Sequence, residues 1–427
     1  MAQIQPFKGY RFNPPKAGEI ASLISQPYDT ITPEMQEAYY KKSDYNIVRI
    51  IKGKEYDDDS TENNQYTRAR DFFQDWVEKG IIVQDDKPSI YVYDQIYQLP
   101  NGETKSRLGF IALGKLESLD SGIVFPHEFT HSKAKVDRRN LLITTQVHWG
   151  QIFMLYSDPE NAINTILRKQ QELSEPLFTL TAEDNVGNKI WRVTDPAVIE
   201  QVQKLMADKS ILIADGHHRY ETAYGYMQEH PEQPSAQYVM MTLVNMDDPG
   251  LSVLPTHRLL KPLPADNPDA FWEKAKEIFD IKEFKISEKK QFLTSLIKQG
   301  QQTNTFGFYH GDNVFYTLAV KNAGIKDKFY PDASRQYLKD LDVSIFDELV
   351  INYALGLKEE KEKYIAYSKD ADETIQLVDS GEFKYAFFLN ATKVSQVRSI
   401  TSTGQRMPQK STYFYPKLIT GLIFYKL

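Results

Sequence analysis

The residues with the clearest chemical potential lie in SILIADGHHRYETAYGYM, at positions 210–227. An apolar run typical of a buried strand leads into Asp215 and Gly216, and the following residues have the spacing of an amphipathic helix. The first turn of such a helix presents unpaired backbone N–H groups and the positive end of the helix dipole, which attract phosphate or carboxylate. Cationic groups are unfavourable there unless an anion is bound. The turn contains His217, His218 and Arg219, so the segment predicts an anion-binding site.

Asp215 has several candidate roles in this turn. Its side chain could cap the helix, bind a metal ion or act as a base. The simpler alternative is that Asp215 is only a helix cap and that His217 and His218 are polar surface residues.

A second segment, FPHEFTHSKAKVDRRN at 125–140, contains the pattern His-Glu-x-x-His at His127, Glu128 and His131. In metalloproteases this pattern binds zinc and activates water. The segment shows no third ligand at a metalloprotease spacing, and it is polar where a buried active-site helix would be amphipathic. We therefore do not expect a metal site here.

The same segment has two other interpretations. Glu128 or His127 could act as a general acid or base while nearby charged residues position an anionic group. Alternatively, the segment is a charged helix face with internal salt bridges. The charged residues in question are Lys135, Asp137 and Arg138.

A third segment, GQRMPQKSTYFYPK at 404–417, nearly spells a phosphate-binding P-loop that ends at Lys410 and Ser411. Gln409 stands where the P-loop has glycine, and Pro408 lacks a backbone donor, so P-loop chemistry is not expected. Lys410 and Ser411 could still bind an anion, or the segment could be a buried tyrosine-rich turn. Two further candidates stand singly in turns, where such residues are more often structural: Asp29 in SQPYDTI and His257 in VLPTHRLL.

The elements around these segments predict an α/β fold with mixed sheets. Alternating aromatic residues on both sides of Asn101-Gly102 indicate a hairpin, and YTRARDFFQDWVEKG indicates a helix that ends before Gly80. NIVRII at 46–51 is rich in β-branched residues and favours a strand. A proline-rich break at 261–268 divides the chain into two α+β halves, 1–260 and 261–427.

Composition limits the class of protein. The chain has 427 residues, a net charge of −7 and no cysteine, which excludes disulfides, thiolate metal sites and cysteine nucleophiles. No basic patch indicates nucleic-acid binding. No apolar window reaches the length of a membrane span, so we expect a cytoplasmic protein that binds neither nucleic acid nor membrane.

Taken together, PYDTI, PHEFT, ADGHHRYETA and MPQKSTYFYPK resemble the family called domain of unknown function 1015, and the resemblance runs nearly end to end. That family is related to the ParB and sulfiredoxin superfamily, which includes free serine kinases. The resemblance implies a ParB/sulfiredoxin-like core elaborated by the second half. It also implies that the G-x-x-R element holds nucleotide phosphates, and the matching residues are Gly216, His217, His218 and Arg219.

The resemblance further implies a nucleotide-dependent kinase in serine metabolism that uses ATP or ADP with Mg²⁺ and acts on serine or a similar small hydroxy metabolite. Glu128 or Asp215 would accept the hydroxyl proton, while His218 and Arg219 would hold the phosphates. Two alternatives stay open: a phosphatase of a metabolite such as phosphoserine, and a nucleotide-binding sensor without catalysis. Neither the acceptor nor the oligomeric state follows from the sequence.

Overall fold

The computed structural model describes residues 1–128, 132–263, 267–330 and 333–427. These residues form two compact units, which we describe separately. The first consists of 1–252 and 414–427, and the second of 253–413. The division predicted from the proline-rich break lies at 260/261, whereas the compact units divide at 252/253 and the C-terminal segment returns to the first unit.

The strands, in chain order, are β1 Ile4–Gln5, β2 Tyr10–Phe12, β3 Ile82–Gln84, β4 Ile90–Gln98, β5 Thr104–Lys115, β6 Val124–Pro126, β7 Val147–His148, β8 Ile152–Tyr156, β9 Phe178–Thr181, β10 Gly187–Val193, β11 Ile211–Asp215, β12 Tyr238–Asn245, β13 Ser252–Leu254, β14 His257–Leu260, β15 Phe279–Lys285, β16 Thr305–Tyr309, β17 Val314–Val320, β18 Ile365–Ser368, β19 Tyr385–Phe388, β20 Tyr413–Tyr415 and β21 Tyr425–Lys426.

The α-helices are α1 Pro14–Ala17, α2 Pro33–Lys42, α3 Val48–Ile51, α4 Gln65–Glu78, α5 Ser132–Thr145, α6 Ala162–Leu173, α7 Pro196–Met206, α8 His217–Glu229, α9 Pro268–Ile278, α10 Lys289–Gly300, α11 Ala323–Phe329, α12 Asp342–Phe346, α13 Ala371–Asp379 and α14 Val394–Thr401. A π-helical segment, Asp347–Ala354, follows α12. Short 3₁₀ segments are Ile20–Ser22, Pro234–Gln237, Ile286–Glu288, Ala333–Leu338 and Lys361–Lys363.

The first unit is built on a mixed sheet. Within the described residues the strand order is β6-β11-β8-β12-β5-β4-β10-β9, and β1 pairs with β5. The pairs β6/β11 and β8/β12 are parallel, and the other pairs of this sheet are antiparallel. The expected α/β fold class with mixed sheets is therefore confirmed.

The parallel pair β6/β11 determines where the candidate site forms. Val124 lies opposite Ile211, and Pro126 lies opposite Ile213, so both strands end at the same edge of the sheet. Ligands of open α/β sheets bind beyond the carboxyl ends of the strands. The residues that follow the two strands, 127–128 and 216–219, therefore emerge at the same edge of the sheet.

Helices α6, α7 and α8 join the sheet in one apolar core. In α8, Tyr220 and Ala223 are fully buried while Tyr224 and Met227 pack against the core from its margin, which confirms the predicted amphipathic helix. Buried members from the other two helices are Ile163, Leu167, Ile199, Val202 and Met206.

The second unit has an antiparallel sheet with the order β15-β17-β16-β19-β14-β18. Phe292 and Phe315 stack in its core with ring centroids 4.7 Å apart. Helices α10 and α13 contribute further buried side chains, namely Leu296, Ile375 and Val378.

Two local predictions are confirmed and one is wrong. Strands β4 and β5 form the hairpin around Asn101-Gly102, and α4 ends before Gly80, which adopts a φ of 68°. NIVRII contains helix α3 rather than a strand. The side chain of Asn46 accepts a hydrogen bond from the Val48 N–H (2.9 Å) at the start of this turn, and the apolar residues are buried on all sides, so strand propensity does not decide the conformation.

Asn46 also fixes the segment that leads to Tyr28. Its Nδ2 donates to the carbonyl oxygens of Ser22 (2.8 Å) and Ile24 (2.9 Å), and the residue is fully buried. Asn46→Ala should lower the free energy of unfolding by about 2–4 kcal/mol, because each buried polar group left unpaired costs about 1–3 kcal/mol. Urea unfolding measures the change. The exposed Asn63→Ala is the control, with an expected change within about 0.5 kcal/mol; equal effects of the two substitutions would contradict the prediction.

Candidate functional site

The turn between β11 and α8 requires glycine for two reasons. Gly216 has a φ of 95°, and a Cβ at this position would lie 2.9 Å from Nη2 of Arg219. Gly216 is the N-cap of α8 and supplies no side-chain cap. The interpretation of Asp215 as the helix cap is therefore wrong, and no side chain covers the helix start from the cap position.

Asp215 instead anchors two cations. Its Oδ1 accepts a hydrogen bond from Lys417 Nζ (2.7 Å), and its Oδ2 accepts one from Arg219 Nη2 (3.0 Å). Arg219 Nη1 donates to the carbonyl oxygen of Gln151 (2.5 Å). Burial opposes ionisation of Asp215, but the charges of Lys417 and Arg219 outweigh it and hold the pKa of the carboxyl well below its usual range. Asp215 is consequently anionic and a weak base.

A third cation, Arg107, interacts with the same carboxylate. Arg107 is 2% exposed and donates from Nη2 to the carbonyl oxygen of Pro416 (2.6 Å) and to the Gln95 side chain. Burial lowers its pKa to about 10, and the charge of Asp215 opposes this shift. Its Nη1 is buried without a hydrogen-bond partner. Three cations acting on one carboxylate leave surplus positive charge, which a bound anion would neutralise.

Two histidines meet at the edge where β6 and β11 end. His127 donates from its backbone N–H to Nε2 of His217 (3.2 Å), and the ring centroids are 4.7 Å apart. Because Nε2 accepts a hydrogen bond, the ring is neutral and carries its single proton on Nδ1. Burial, together with the neighbouring His127, lowers the pKa of His217 to about 3. His217 is therefore a neutral structural acceptor rather than a cationic phosphate ligand at neutral pH.

Glu128 forms a pair with His127. His127 Nδ1 lies 2.6 Å from the carbonyl oxygen of Ile213, so Nδ1 carries a proton, and Nε2 lies 3.4 Å from Glu128 Oε1. The Glu128 side chain is 19% exposed, so it is accessible from solvent.

Helix α5 partly matches the interpretation as a salt-bridged face. Lys135 forms an ion pair with Glu221 of α8. Asp137 accepts from Tyr66 Oη (2.9 Å) and from Arg138 Nε (2.8 Å).

Arg138 also lies 3.9 Å from the centroid of the Tyr28 ring, which brings the PYDTI segment to this helix. Burial raises the pKa of Tyr28, and the neighbouring charges of Arg138, Asp29 and Arg219 also act on it. Asp29 is exposed.

The other candidates belong to the second unit. The carbonyl oxygen of Lys410 accepts from Arg258 Nη2 (3.1 Å), and Ser411 Oγ donates to the Pro408 carbonyl (2.5 Å). His257 Nδ1 accepts from the Leu389 N–H (3.3 Å), and burial lowers the pKa of His257 to about 4. These contacts give Ser411 and His257 structural hydrogen bonds within that unit.

The first unit therefore brings together Glu128, Asp215 and 216–219, with His218 partly buried in the first turn of α8. Sequence reasoning missed Lys417 and Arg107. Lys417 is the last residue of the segment 404–417 and carries no signal of its own. Arg107 is a charged residue within an apolar strand, and that contrast could have identified it.

The fold and site define a mixed α/β protein with a cluster of cationic side chains at a strand–turn–helix. The chain belongs to the family described as "Protein of unknown function (DUF1015)", whose model matches residues 4–344.

Several solved structures are similar at low identity. A conserved hypothetical protein from Pyrococcus furiosus is 13% identical with a TM-score of 0.34, covering 73% of this chain and 92% of that chain. Free serine kinase in complex with AMP is 13% identical with a TM-score of 0.35, covering 72% and 86%. A mutant free serine kinase in complex with ADP is 12% identical with a TM-score of 0.36, covering 72% and 87%. Similarity at this level carries no argument about function.

Comparison with curated proteins gives no match. Across the described ranges, the helices are all too short or too polar to cross a membrane. The same part of the chain contains no group of three or more His, Asp or Glu side chains that could hold a metal ion. His131, the third residue of the His-Glu-x-x-His pattern, lies outside the described residues.

The buried His217 generates a pH prediction. Its pKa lies near 3 in the folded protein and near 6.5 when exposed, so the unfolded chain binds the proton more tightly and stability falls as the pH drops through this window. Between about pH 7 and pH 5, His217 should lower the free energy of unfolding of the wild-type protein by about 2 kcal/mol. This part of the loss should be absent in His217→Gln. Urea unfolding at both pH values measures it. An unchanged dependence in His217→Gln would refute the assignment.

Proposed function

We propose that the protein is a nucleotide-dependent phosphotransferase, a kinase that acts on serine or a similar small hydroxy metabolite. The observation that carries the proposal is the cluster of Lys417, Arg219 and Arg107 around Asp215, directly before the uncapped start of α8. Phosphoryl transfer depends mainly on positioning and on neutralising charge, and this site offers both.

The phosphates of ATP or ADP would lie at the first turn of α8. The backbone N–H groups of this turn and the helix dipole favour a phosphate. Arg219 and His218 stand in the same turn, and Lys417 lies within hydrogen-bond distance of Asp215 beside it. Asp215 acts as the anchor that orients the two cations, since its low pKa makes it a poor proton acceptor.

The site is also compatible with Mg²⁺ that arrives bound to the nucleotide phosphates. Mg²⁺ in kinases is held by one or two carboxylates together with substrate phosphates and water. Asp215 is engaged by two cations and Glu128 is assigned to the proton, so the nucleotide phosphates and water would hold the ion. Bound Mg²⁺ would neutralise charge on the phosphates.

Glu128 is the proposed proton acceptor. The acceptor hydroxyl oxygen forms a bond to the terminal phosphorus as the bond from that phosphorus to the bridging oxygen breaks, and the nucleotide leaves with one phosphate fewer. The hydroxyl proton passes to Glu128, whose Oε1 lies 3.4 Å from His127 Nε2. A partly exposed carboxylate within reach of the substrate hydroxyl can act as a general base.

Phosphorus NMR tests the proposal directly. The purified protein is incubated with Mg²⁺ and ATP, ADP or CTP, with and without serine. The proposal predicts that a phosphomonoester appears only when both nucleotide and serine are present. Phosphate release from phosphoserine without nucleotide would support a phosphatase instead, and nucleotide binding without turnover would support a sensor. Absence of both binding and transfer with all three nucleotides would overturn the proposal.

Arg219 tests the phosphate site. Arg219→Ala should weaken ADP binding by about 1.5–3 kcal/mol, the scale of a charge-assisted hydrogen bond. Isothermal titration calorimetry measures the affinity. Arg70→Ala removes an exposed arginine of α4 and should leave it unchanged. An unaltered affinity in correctly folded Arg219→Ala would show that the phosphates bind elsewhere.

Glu128 tests the proton transfer. Glu128→Gln keeps the size of the side chain but removes the base, so kcat should fall by about 10²–10⁴ while nucleotide affinity is retained. Glu117→Gln is a matched control because Glu117 is similarly exposed, 24% against 19%, and pairs with Lys115. A wild-type kcat in Glu128→Gln would remove Glu128 from the mechanism.

A further inference from the structure

A small cavity lies beside Arg219 in the first unit, with a volume of about 50 Å³. Its walls come from α5, α8, the segment 147–150 and the loop that carries Tyr28. This volume exceeds the space of a single water, which needs about 10–15 Å³, and accommodates the head of a small organic ion.

The cavity is lined by hydrogen-bond donors that lack acceptors. Thr222 is 7% exposed, and its Oγ1 is buried without a partner. Arg219 Nε is also buried without a partner. Arg138 donates from Nε and Nη2 to Asp137. Buried donors without acceptors are unfavourable, so this arrangement favours a ligand rich in acceptor oxygens.

The positive charge at the cavity comes from the two arginines. The Arg138 side chain is 10% exposed and the Arg219 side chain 17%, so both charges act in a medium that screens them weakly. His148 also lines the cavity, but burial lowers its pKa to about 4 and keeps it neutral. Asp137 and Asp215 each bind one of the arginines and hold its guanidinium in place.

The rest of the lining is apolar. Leu141, Leu142, Val147 and Trp149 line the cavity together with the arginines and Thr222. A phosphate ion, which presents oxygens in all directions, needs more polar partners than this mixed lining offers. A carboxylate combines two oxygens with a hydrocarbon portion, which matches a lining that mixes a few donors with apolar side chains.

We propose that this cavity binds a small monocarboxylate through Arg138, Arg219 and Thr222, with its short hydrocarbon portion against the leucines of α5. The site adjoins the start of α8 and shares Arg219 with it, but it does not depend on phosphate transfer. Arg219 Nη2 binds Asp215, while its buried Nε has no partner.

Calorimetric titration with acetate and L-lactate, compared with acetamide and lactamide, tests the proposal in the full chain. Both carboxylates should bind, and the neutral amides, which have the same shape, should bind at least about tenfold more weakly. Inorganic phosphate is titrated in parallel. Tighter binding of phosphate than of the carboxylates, or no heat with either carboxylate, would overturn the assignment.

Variants locate the site. Arg138→Gln should weaken lactate binding at least about tenfold, whereas Arg139→Gln, which changes the exposed neighbour that pairs with Glu229, should change it less than about twofold. Thr222→Val keeps the shape of the side chain, removes the unpartnered hydroxyl and should weaken binding severalfold without loss of folding. Wild-type lactate affinity in Thr222→Val together with wild-type affinity in folded Arg138→Gln would overturn the proposal. If Arg138→Gln does not fold, the Thr222→Val result alone decides.

Discussion

The ion cluster around Asp215 is the interaction on which the first unit depends. The carboxylate stands at the end of β11, Arg219 reaches back to it from the first turn of α8, and Lys417 reaches it from the C-terminal segment. Removal of one partner from a buried ion pair is strongly destabilising, because it leaves the other charge without compensation. The same carboxylate therefore holds together a strand, a helix and a distant part of the chain.

Around this anchor, the parallel register of β6 and β11 assembles the chemistry. Because the two strands end together, His127 and Glu128 emerge beside the turn that contains Gly216. The backbone of His127 binds the ring of His217, so the two strand ends are also joined by a hydrogen bond between their first following residues. The result is a histidine–glutamate pair at one strand end and a cationic cluster at the other, and the proposed phosphotransfer depends on both.

The local parts of this arrangement could be predicted from the sequence. A short apolar run, a glycine turn and helical spacing identify β11 and α8 without knowledge of the rest, and the family follows from motifs along the chain. The partners of Asp215 could not be found this way. Lys417 lies 202 positions away in sequence, and nothing in its immediate surroundings distinguishes it from an exposed lysine. Arg107 lies in a hairpin strand, and its burial, which the sequence does not show, identifies it as a member of the cluster.

Helix α3 shows that a local sequence pattern can also predict the wrong conformation. Its β-branched residues favour a strand, but burial of the apolar residues and the hydrogen bond from the Val48 N–H to the Asn46 side chain decide in favour of a helical turn. Likewise, the roles of His217 and Asp215 depend on protonation, which the neighbours set. From the sequence, His217 at the helix start was expected to be a cation, but its low pKa makes it neutral. Asp215 was a candidate base, but its neighbouring cations lower its pKa and make it an anchor for them.

Because residues 414–427 belong to the first unit, this unit cannot be completed until they have been synthesised. During synthesis, β11 and α8 leave the ribosome long before Lys417 has been made, because the whole of 253–413 is translated in between. Until then Asp215 has Arg219 but not Lys417, and Arg107 lacks the carbonyl of Pro416. Domains generally fold in the order of their synthesis. Here the nascent first unit must wait for residues 414–427, so the cluster around Asp215 is completed only after 253–413 have been made.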